Sequence, residues 1–284
     1  MLTIAKRNIL LYFRDRMAVF FSLLAVIILI ALYVFFLGDM TSKGLPDFPS
    51  KKSLLKYWFI AGILAVTSMT TTLGAFGILV DDRADKIEMD FNSSPIPTFK
   101  LVGGYITSAL FVGVLMCSLT FIVIDLYLLL SGETILAFGK TMQLGGVIIL
   151  SVAASGSMIL LLVSFIRTSN AFAAASMVIG TFIGFLAGIY IPIGGLPDYL
   201  QSVVKWFPVS HSVALFRQLL METFLIDAFS NGPTGMKESF QFEMGIFYEI
   251  NGKPSSKLFS LIYLLGTTIL FFILALFVMM KKKK

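Results

Sequence analysis

The sequence predicts an all-α membrane protein with six transmembrane helices, and two observations carry this prediction. First, 57% of the residues are apolar and only 13% are charged, whereas soluble proteins carry about 25% charged residues. Second, six windows of 21 to 24 residues contain no charged residue and no histidine. Roughly 20 apolar residues in a helix span a hydrocarbon core. The windows are Met17–Leu37, Tyr57–Val80, Leu101–Ile124, Leu144–Ile166, Ala171–Ile191 and Leu258–Met280.

The same composition excludes a soluble enzyme, a nucleic-acid-binding domain and a disulfide-stapled secreted fold. Cys117 is the only cysteine, so it has no partner for an intrachain disulfide. One histidine and one cysteine also cannot build a zinc, haem or iron–sulfur site, and we expect no metal. The net charge of +6 sits at window edges and in the tail 281–284. That placement suits membrane lipid with anionic headgroups, and nucleic acid is not expected as a partner.

The amino-terminal segment Leu2–Arg16 has an apolar face and a basic face, which is typical of a helix lying on the membrane surface. The window after it is too long for a secretory apolar core and lacks a cleavage site, so we expect it to be retained. Basic residues flank the first and last spans, which predicts a multi-pass protein of the cell membrane with both termini cytoplasmic. A contrary signal comes from Lys51, Lys52 and Lys56.

The longest connection between spans, Pro192–Lys257, is predicted to lie outside. Its first half contains a short amphipathic helix over Val213–Phe224, with Arg217 and Gln218 on the polar face. Its second half, Ser230–Lys257, is rich in glycine and proline and is expected to form an exposed appendage. The only histidine, His211, is expected at the surface or the membrane interface.

Two motifs that imitate enzyme sites are rejected. Gly139-Lys140-Thr141 resembles the end of a phosphate-binding loop, but the required leading glycine is replaced by Thr134 and no strand precedes it. Ser155 lies in a segment similar to that of an intramembrane protease, yet no base lies within reach to activate it. We therefore expect no catalytic residue and no nucleotide site in this chain.

Two spans carry small or polar side chains with open interpretations. In the second span the hydroxyls either bond back to carbonyls of their own helix or form one wall of a path for an amphipathic substrate; they belong to Thr67, Ser68, Thr70, Thr71 and Thr72. In the fifth span Gly180, Gly184 and Gly188 recur every four residues, which favours close helix packing and a contact with a second copy.

The segment between the second and third spans, Asp81–Lys100, is densely charged and is predicted to be an inner loop. It is either a solvated loop or a structured knob that receives force from a separate ATPase. Because exposed ion pairs contribute only about 0–1 kcal/mol, we expect a charge reversal at Asp82, Arg83 and Glu88 to leave the protein folded.

Taken in order, four features resemble the ABC-2 permease family, the membrane half of an ATP-binding-cassette exporter. The basic run through Lys6-Arg7-Asn8 and Arg14-Asp15-Arg16 is similar to the family's connector helix. The loop Asp81–Pro97, with Ser94-Pro95 near its end, resembles the coupling helix. The exit Gly188–Pro192, followed by Leu196-Pro197 and Trp206-Phe207-Pro208, resembles the outer re-entrant segment. Six spans with both ends inside complete the pattern.

The resemblance implies a single transmembrane domain over 1–284, in which an amino-terminal interfacial helix, 1–16, precedes spans one to five, 17–191. Outer re-entrant helices and the appendage follow at 192–257, and span six with the basic tail at 258–284. The expected partners are ATP-binding-cassette ATPase subunits, which would hold ATP and Mg, and a second permease copy or a related permease. The chain itself needs no cofactor.

The resemblance also assigns roles to individual residues. ATPase-coupling roles fall on Asp81, Asp82, Arg83, Lys86, Glu88, Pro95, Pro97, Arg7 and Arg14. The second and fifth spans would line the substrate path, with Thr67, Thr70, Thr71, Phe182 and Phe185. Subunit packing would use Gly180, Gly184 and Gly188.

The leading hypothesis is thus a permease subunit that moves a drug, an antimicrobial peptide or a lipid-linked molecule outward. Charge-free spans argue against a carrier coupled to protons or sodium, which usually needs buried carboxylates. The alternative is a membrane sensor or immunity protein that does not transport and binds a peptide through its appendage.

Overall fold

A computed structural model describes residues 1–43, 48–93, 96–133, 136–230, 235–250 and 253–281. Helices dominate these ranges, and the described strands are a two-residue antiparallel pair, β1 (Glu249–Ile250) with β2 (Lys253–Pro254). The helices before the outer segment are α1 (Leu2–Arg14), α2 (Arg16–Leu32), α3 (Gly38–Lys43), α4 (Lys51–Ala84), α5 (Ile87–Ser93), α6 (Thr98–Leu130), α7 (Phe138–Phe165) and α8 (Ser169–Leu186). Those that follow are α9 (Asp198–Trp206), α10 (Pro208–Leu220), α11 (Glu222–Phe229), α12 (Met236–Glu243) and α13 (Lys257–Lys281).

Five of the described helices, α4, α6, α7, α8 and α13, are long and apolar enough to cross a membrane. They coincide with five of the six charge-free windows, because a helix satisfies every backbone hydrogen bond internally. The first window, Met17–Leu37, is covered by α2 and a π-helical turn, Tyr33–Leu37. This stretch contains a shorter apolar helix, Val26–Phe36, and its role as a sixth span stays a prediction.

Helix α4 forms the centre of the bundle. It has 34 residues, and 83% of its most apolar window is buried, since α1, α6, α7, α8 and α10 all pack around it. At 1.5 Å per residue it is about 51 Å long, well beyond a hydrocarbon core of about 30 Å. Asp81 and Asp82 therefore continue the helix, and the predicted inner loop begins only after Ala84.

Helix α10 is the second helix of the core, although the sequence predicted an amphipathic helix with an exposed polar face. All 13 of its residues are buried, because it lies among α4, α7 and α13. Ser210, His211, Arg217 and Gln218 form hydrogen bonds inside the protein, whereas Ser212 Oγ is buried without a partner among the described residues. By contrast, only 11% of the apolar windows of α8 and α13 is buried, so most of their surface faces outward from the bundle.

Candidate transport path and inner surface

The amino-terminal helix α1 is fastened to the bundle by a bidentate ion pair. Arg7 Nη1 and Nη2 donate to the two carboxylate oxygens of Asp82 at 2.6 and 2.8 Å. The hydroxyl of Tyr105 on α6 donates to the same carboxylate at 2.5 Å, and Asn8 Nδ2 donates to Ser108 Oγ at 3.4 Å. The bond to Asp82 also raises the pKa of the Arg7 guanidinium.

This geometry corrects the treatment of Asp82 as an exposed charge. The residue is only 3% exposed, and three donors already occupy its carboxylate. Reversing its charge would leave Arg7 and Tyr105 facing a cation in a buried place, which costs far more than a change at an exposed pair. The premise that Asp82 is a surface charge is therefore wrong, and we now expect the triple charge reversal to destabilise the fold through this position.

Arg83 holds three elements together at the inner end. Its Nε donates to Glu88 of α5 at 3.0 Å, and its Nη1 donates to the carbonyls of Val163 at 2.8 Å and Ile166 at 3.3 Å. These two carbonyls lie at the carboxyl end of α7, where a helix leaves its last acceptors free and its dipole favours a cation.

Other predicted coupling residues lie on the surface that is predicted to face inward. Asp81 is exposed and accepts a bond from Ser169 Oγ at 2.7 Å, while Arg14 and Pro97 are exposed. Lys86 is exposed and has a left-handed backbone with φ of 64°. Pro95 lies outside the described residues. The structure thus brings Arg7 to Asp82 and Arg83 to Glu88, and each pair is internal to the chain.

The residues that remain free at this surface include two that the sequence did not single out. Asp85 is exposed beside Lys86, and the side chain of Met89 is 66% exposed. A large apolar side chain in the middle of a charged segment is the signal that could have identified Met89. We call Asp85, Lys86 and Met89 the inner tip, after the side of the membrane that the sequence predicts for this segment.

The threonines of α4 use their hydroxyls within their own helix. Thr70 Oγ1 donates to Val66 O at 3.1 Å and Thr71 Oγ1 to Thr67 O at 2.7 Å. Thr67 and Thr71 are buried, whereas Thr70 is exposed. These hydroxyls thus bond back to carbonyls of their own helix, as in the first of the two interpretations. The place of these threonines on the substrate path stays a prediction.

Ser68 Oγ donates to Ala65 O of its own helix at 2.7 Å and in addition joins α4 to α7. Its hydroxyl lies 2.8 Å from Ser151 Oγ and 3.1 Å from Ser155 Oγ. All three serines are fully buried, so Ser155 belongs to a packing contact between two spans.

An apolar cleft of about 480 Å³ lies between α7 and α8 and reaches α4 and the start of α10. Phe182, predicted for the substrate path, lines it; Phe185 does not, and its ring instead meets that of Tyr190 at 5.0 Å. Every lining side chain is apolar: Met69, Met158, Ile159, Leu161, Leu162, Phe165, Val178, Ile179, Phe182, Ile183, Leu186 and Phe207.

The three glycines of α8 have different surroundings. A side chain at Gly180 would meet nothing within 4 Å, whereas a Cβ at Gly184 would lie 2.3 Å from the Tyr190 ring. Gly188 has a left-handed backbone with φ of 61° just after the helix ends. Gly184 and Gly188 therefore serve contacts within this chain, and the position of Gly180 leaves it free for an outside partner.

The outer segment contains a buried arginine that the sequence placed on an exposed face. Arg217 is 0% exposed, and its Nη atoms donate to four carbonyls, those of Met244 and Gly245 and those of Ala187 and Gly188. Its Cζ lies 4.5 Å from the centre of the Trp58 ring. Burial lowers the pKa of the guanidinium to about 9, which leaves it charged at neutral pH.

His211 is likewise buried, and its predicted surface position is wrong. Its Nε2 lies 3.0 Å from the carbonyl of Lys205, and its Nδ1 lies 3.1 Å from Ser260 Oγ. Because a carbonyl only accepts, Nε2 carries the proton and Nδ1 accepts from the serine. Burial lowers the pKa of the imidazole to about 4, so it is neutral and joins α10 to α13.

Within the described ranges, no group of three His, Cys, Asp or Glu side chains could hold a metal ion. What the arrangement offers is an apolar cleft along the long helices, an exposed tip beyond the carboxyl end of α4, and a buried helix α10.

Comparison with known proteins agrees with this arrangement. The profile of the ABC-2 family transporter proteins matches residues 39–277, which is most of the chain. No curated protein gives a match. ABC-2 permeases pair with ABC ATPase subunits, and the permease domain itself typically lacks a nucleotide-binding site. With its multiple apolar helices, the chain belongs to the ABC-2 family and is the membrane permease component of an ABC-2 type transporter.

Proposed function

We propose that this permease exports a hydrophobic or amphipathic substrate, such as a drug, an antimicrobial peptide or a lipid-linked molecule. The observation that carries the proposal is the cleft of about 480 Å³, whose lining side chains are all apolar. Such a cleft accepts a hydrocarbon body and offers no ligand for an ion or a sugar. Phe182 contributes to its wall, and Thr67, Thr70, Thr71 and Phe185 lie on the two helices, α4 and α8, that border it.

The energy for export comes from a separate ATPase, which holds ATP and Mg and docks on the inner tip. The tip suits this role because it combines an exposed apolar side chain, Met89, with the charges of Asp85 and Lys86. Protein interfaces commonly place an apolar centre inside a charged rim. Asp82, Arg83 and Glu88 act by holding the tip against α1, α4 and α7, and Arg14, Asp81, Pro95 and Pro97 belong to the surface around it.

The complete transporter contains two permeases, identical or related, with both termini of this chain cytoplasmic. The surface of α8 supports a contact with a second permease, because it is mostly exposed and Gly180 leaves room for a close approach. The residues 192–257 form the outer re-entrant segment and appendage of each permease, and α10 supports this by lying among the spans.

The docking proposal is tested by purifying the tagged chain from its native host in a gentle detergent and identifying co-eluting proteins by mass spectrometry. The variant carries Lys86→Glu and Met89→Glu at the inner tip. A matched control carries the same types of change on α12, Met236→Glu and Lys237→Glu. These two residues are exposed, like those of the tip.

We expect a stoichiometric ABC ATPase with the wild-type chain and the control, and a loss of about tenfold with the tip variant, which corresponds to about 1.4 kcal/mol of binding free energy. An undiminished ATPase with the tip variant would show that docking occurs elsewhere. A wild-type chain that elutes alone would favour a sensor or immunity protein instead.

A further inference from the structure

The ends of α8 and α12 are built in the same way and converge on one side chain. Each helix ends in a cap residue, Ala187 or Met244, and each cap is followed by a glycine with a left-handed backbone. The φ angles are 61° at Gly188 and 64° at Gly245. This conformation is easy only for glycine, and it turns the last carbonyls of both helices toward Arg217.

Arg217 satisfies both ends at once. Its Nη2 donates to Ala187 O at 3.2 Å and Gly188 O at 3.1 Å, and its Nη1 donates to Met244 O at 2.9 Å and Gly245 O at 3.3 Å. The planar guanidinium has two pairs of donors that diverge, so it can bridge two helix ends in a fixed geometry.

The charge of Arg217 is balanced without an acid. Among the described residues no carboxylate forms an ion pair with it. The carboxyl ends of two helices each carry a partial negative charge, and the Trp58 face lies 4.5 Å from Cζ, where a ring attracts a cation. The indole Nε1 of Trp58 also donates to Met244 O at 2.7 Å, so α4 joins the same cluster.

The position of this cluster matters because α8 forms one wall of the apolar cleft. The cleft runs along α8 as far as Leu186, its last residue, and is bounded there by Phe207. Arg217 holds the carbonyls of the next two residues. A molecule that leaves the cleft outward passes the end of the helix that Arg217 holds.

We propose that Arg217 is a positioning residue of the outer exit, which makes the end of α8 and the appendage helix α12 move as one unit with α10. The inference rests on the proposed function, because an outer exit exists only in a transporter. In this arrangement a partner or substrate that shifts α12 in the appendage also shifts α8, which forms one wall of the cleft.

The test is a distance measurement between spin labels on the purified chain, with no ATPase and no substrate present. Labels are attached to cysteines at Thr181 on α8 and Glu238 on α12, both exposed. Cys117 is 0% exposed and stays unlabelled. The variant is Arg217→Lys, which keeps the charge but replaces the fork with one ammonium. The matched control is Arg83→Lys, which alters a similar helix-end contact at the inner side.

We expect a narrow distance distribution for the wild type and the control, and one about twice as wide for Arg217→Lys, because a single ammonium cannot bridge two helix ends. If Arg217 only stabilises the fold, Arg217→Lys would lower the melting temperature and leave the distance distribution narrow, and that result would overturn the proposal.

If Arg217→Lys does not fold, Trp58→Phe carries the test, since it removes the bond to Met244 O and keeps an aromatic ring. An unchanged distribution in that variant would overturn the proposal as well. Failure of the proposed function is seen separately, as the absence of an ATPase in the purification of the wild-type chain.

Discussion

The ion pair between Arg7 and Asp82 should contribute to stability as a buried contact and not as a surface charge. We test this with a double-mutant cycle of Arg7→Gln, Asp82→Asn and the double variant. Both single changes remove one charge and keep a polar side chain, so each mainly removes the bidentate contact between α1 and α4.

The magnitude follows from the geometry. Two charge-assisted bonds of 2.6 and 2.8 Å join the residues, and such bonds contribute about 1.5–3 kcal/mol each. The Arg7 side chain is 32% exposed and the Asp82 side chain 5%. Water can therefore compensate Arg7 in part when its partner is lost, but Asp82 hardly at all. We expect a coupling energy of about 2 kcal/mol, within the range of neighbouring residues in one network.

The assay is reversible unfolding by SDS in mixed micelles, which gives the free energy of unfolding for all four proteins. A control cycle uses Lys257 and Glu222, an exposed pair 3.7 Å apart with side chains 53% and 48% exposed. There we expect at most about 0.5 kcal/mol. If the coupling energy of Arg7 with Asp82 is as small as that of the control pair, the buried-contact reasoning is wrong.

Three further predictions concern the cleft and the outer segment. Replacing Ile179 with Trp should fill the cleft and abolish binding of a fluorescent hydrophobic probe, while ATPase co-purification persists; unchanged probe binding would place the substrate elsewhere. Gly184→Ala should lower the free energy of unfolding by about 1–3 kcal/mol, because the new methyl group clashes with Tyr190. Gly180→Ala should instead raise the free energy of unfolding of the isolated chain by up to about 1 kcal/mol. Both are measured by SDS unfolding, and equal effects of the two changes would contradict the helix packing. Burial lowers the pKa of His211 to about 4, whereas an unfolded histidine titrates near 6.5. Between these pH values only the unfolded state binds the proton, so the melting temperature should fall as the pH drops from about 6.5 to 4. The variant His211→Gln should lack that part of the pH dependence.

The place of five spans follows from local sequence. A charge-free window of 21 to 24 residues must be helical inside a membrane because nothing there can satisfy an open backbone, and five windows coincide with long helices. The charged segment 81–100 was also located from its composition, but the sequence left open whether it is a solvated loop or a structured knob, and it did not separate the roles of the individual residues. Asp82 looked like its neighbour Asp81, and only packing against α1 and α6 separates a buried carboxylate from an exposed one.

The outer segment shows where local pattern fails. Periodicity predicted one amphipathic helix over Val213–Phe224, whereas the structure has two helices, α10 and α11, on either side of Met221. It also assigned Arg217 to an exposed face, because charged side chains usually seek water. Here the carbonyls come from residues 30, 29, 27 and 28 positions away. No window of sequence contains that arrangement.

By itself, the sequence determined that this protein is an α-helical membrane protein with a charged segment after its second apolar window and a long connection before its last, because hydrophobic length and charge placement depend on each residue's own transfer free energy. Only the tertiary structure decided which charged side chains form contacts inside the chain and which remain exposed. It left the inner tip exposed, opened an apolar cleft between α7 and α8, and buried Arg217 between two helix ends. Those outcomes depend on partners distant in sequence, and burial of a polar group is favourable only once such partners are in place.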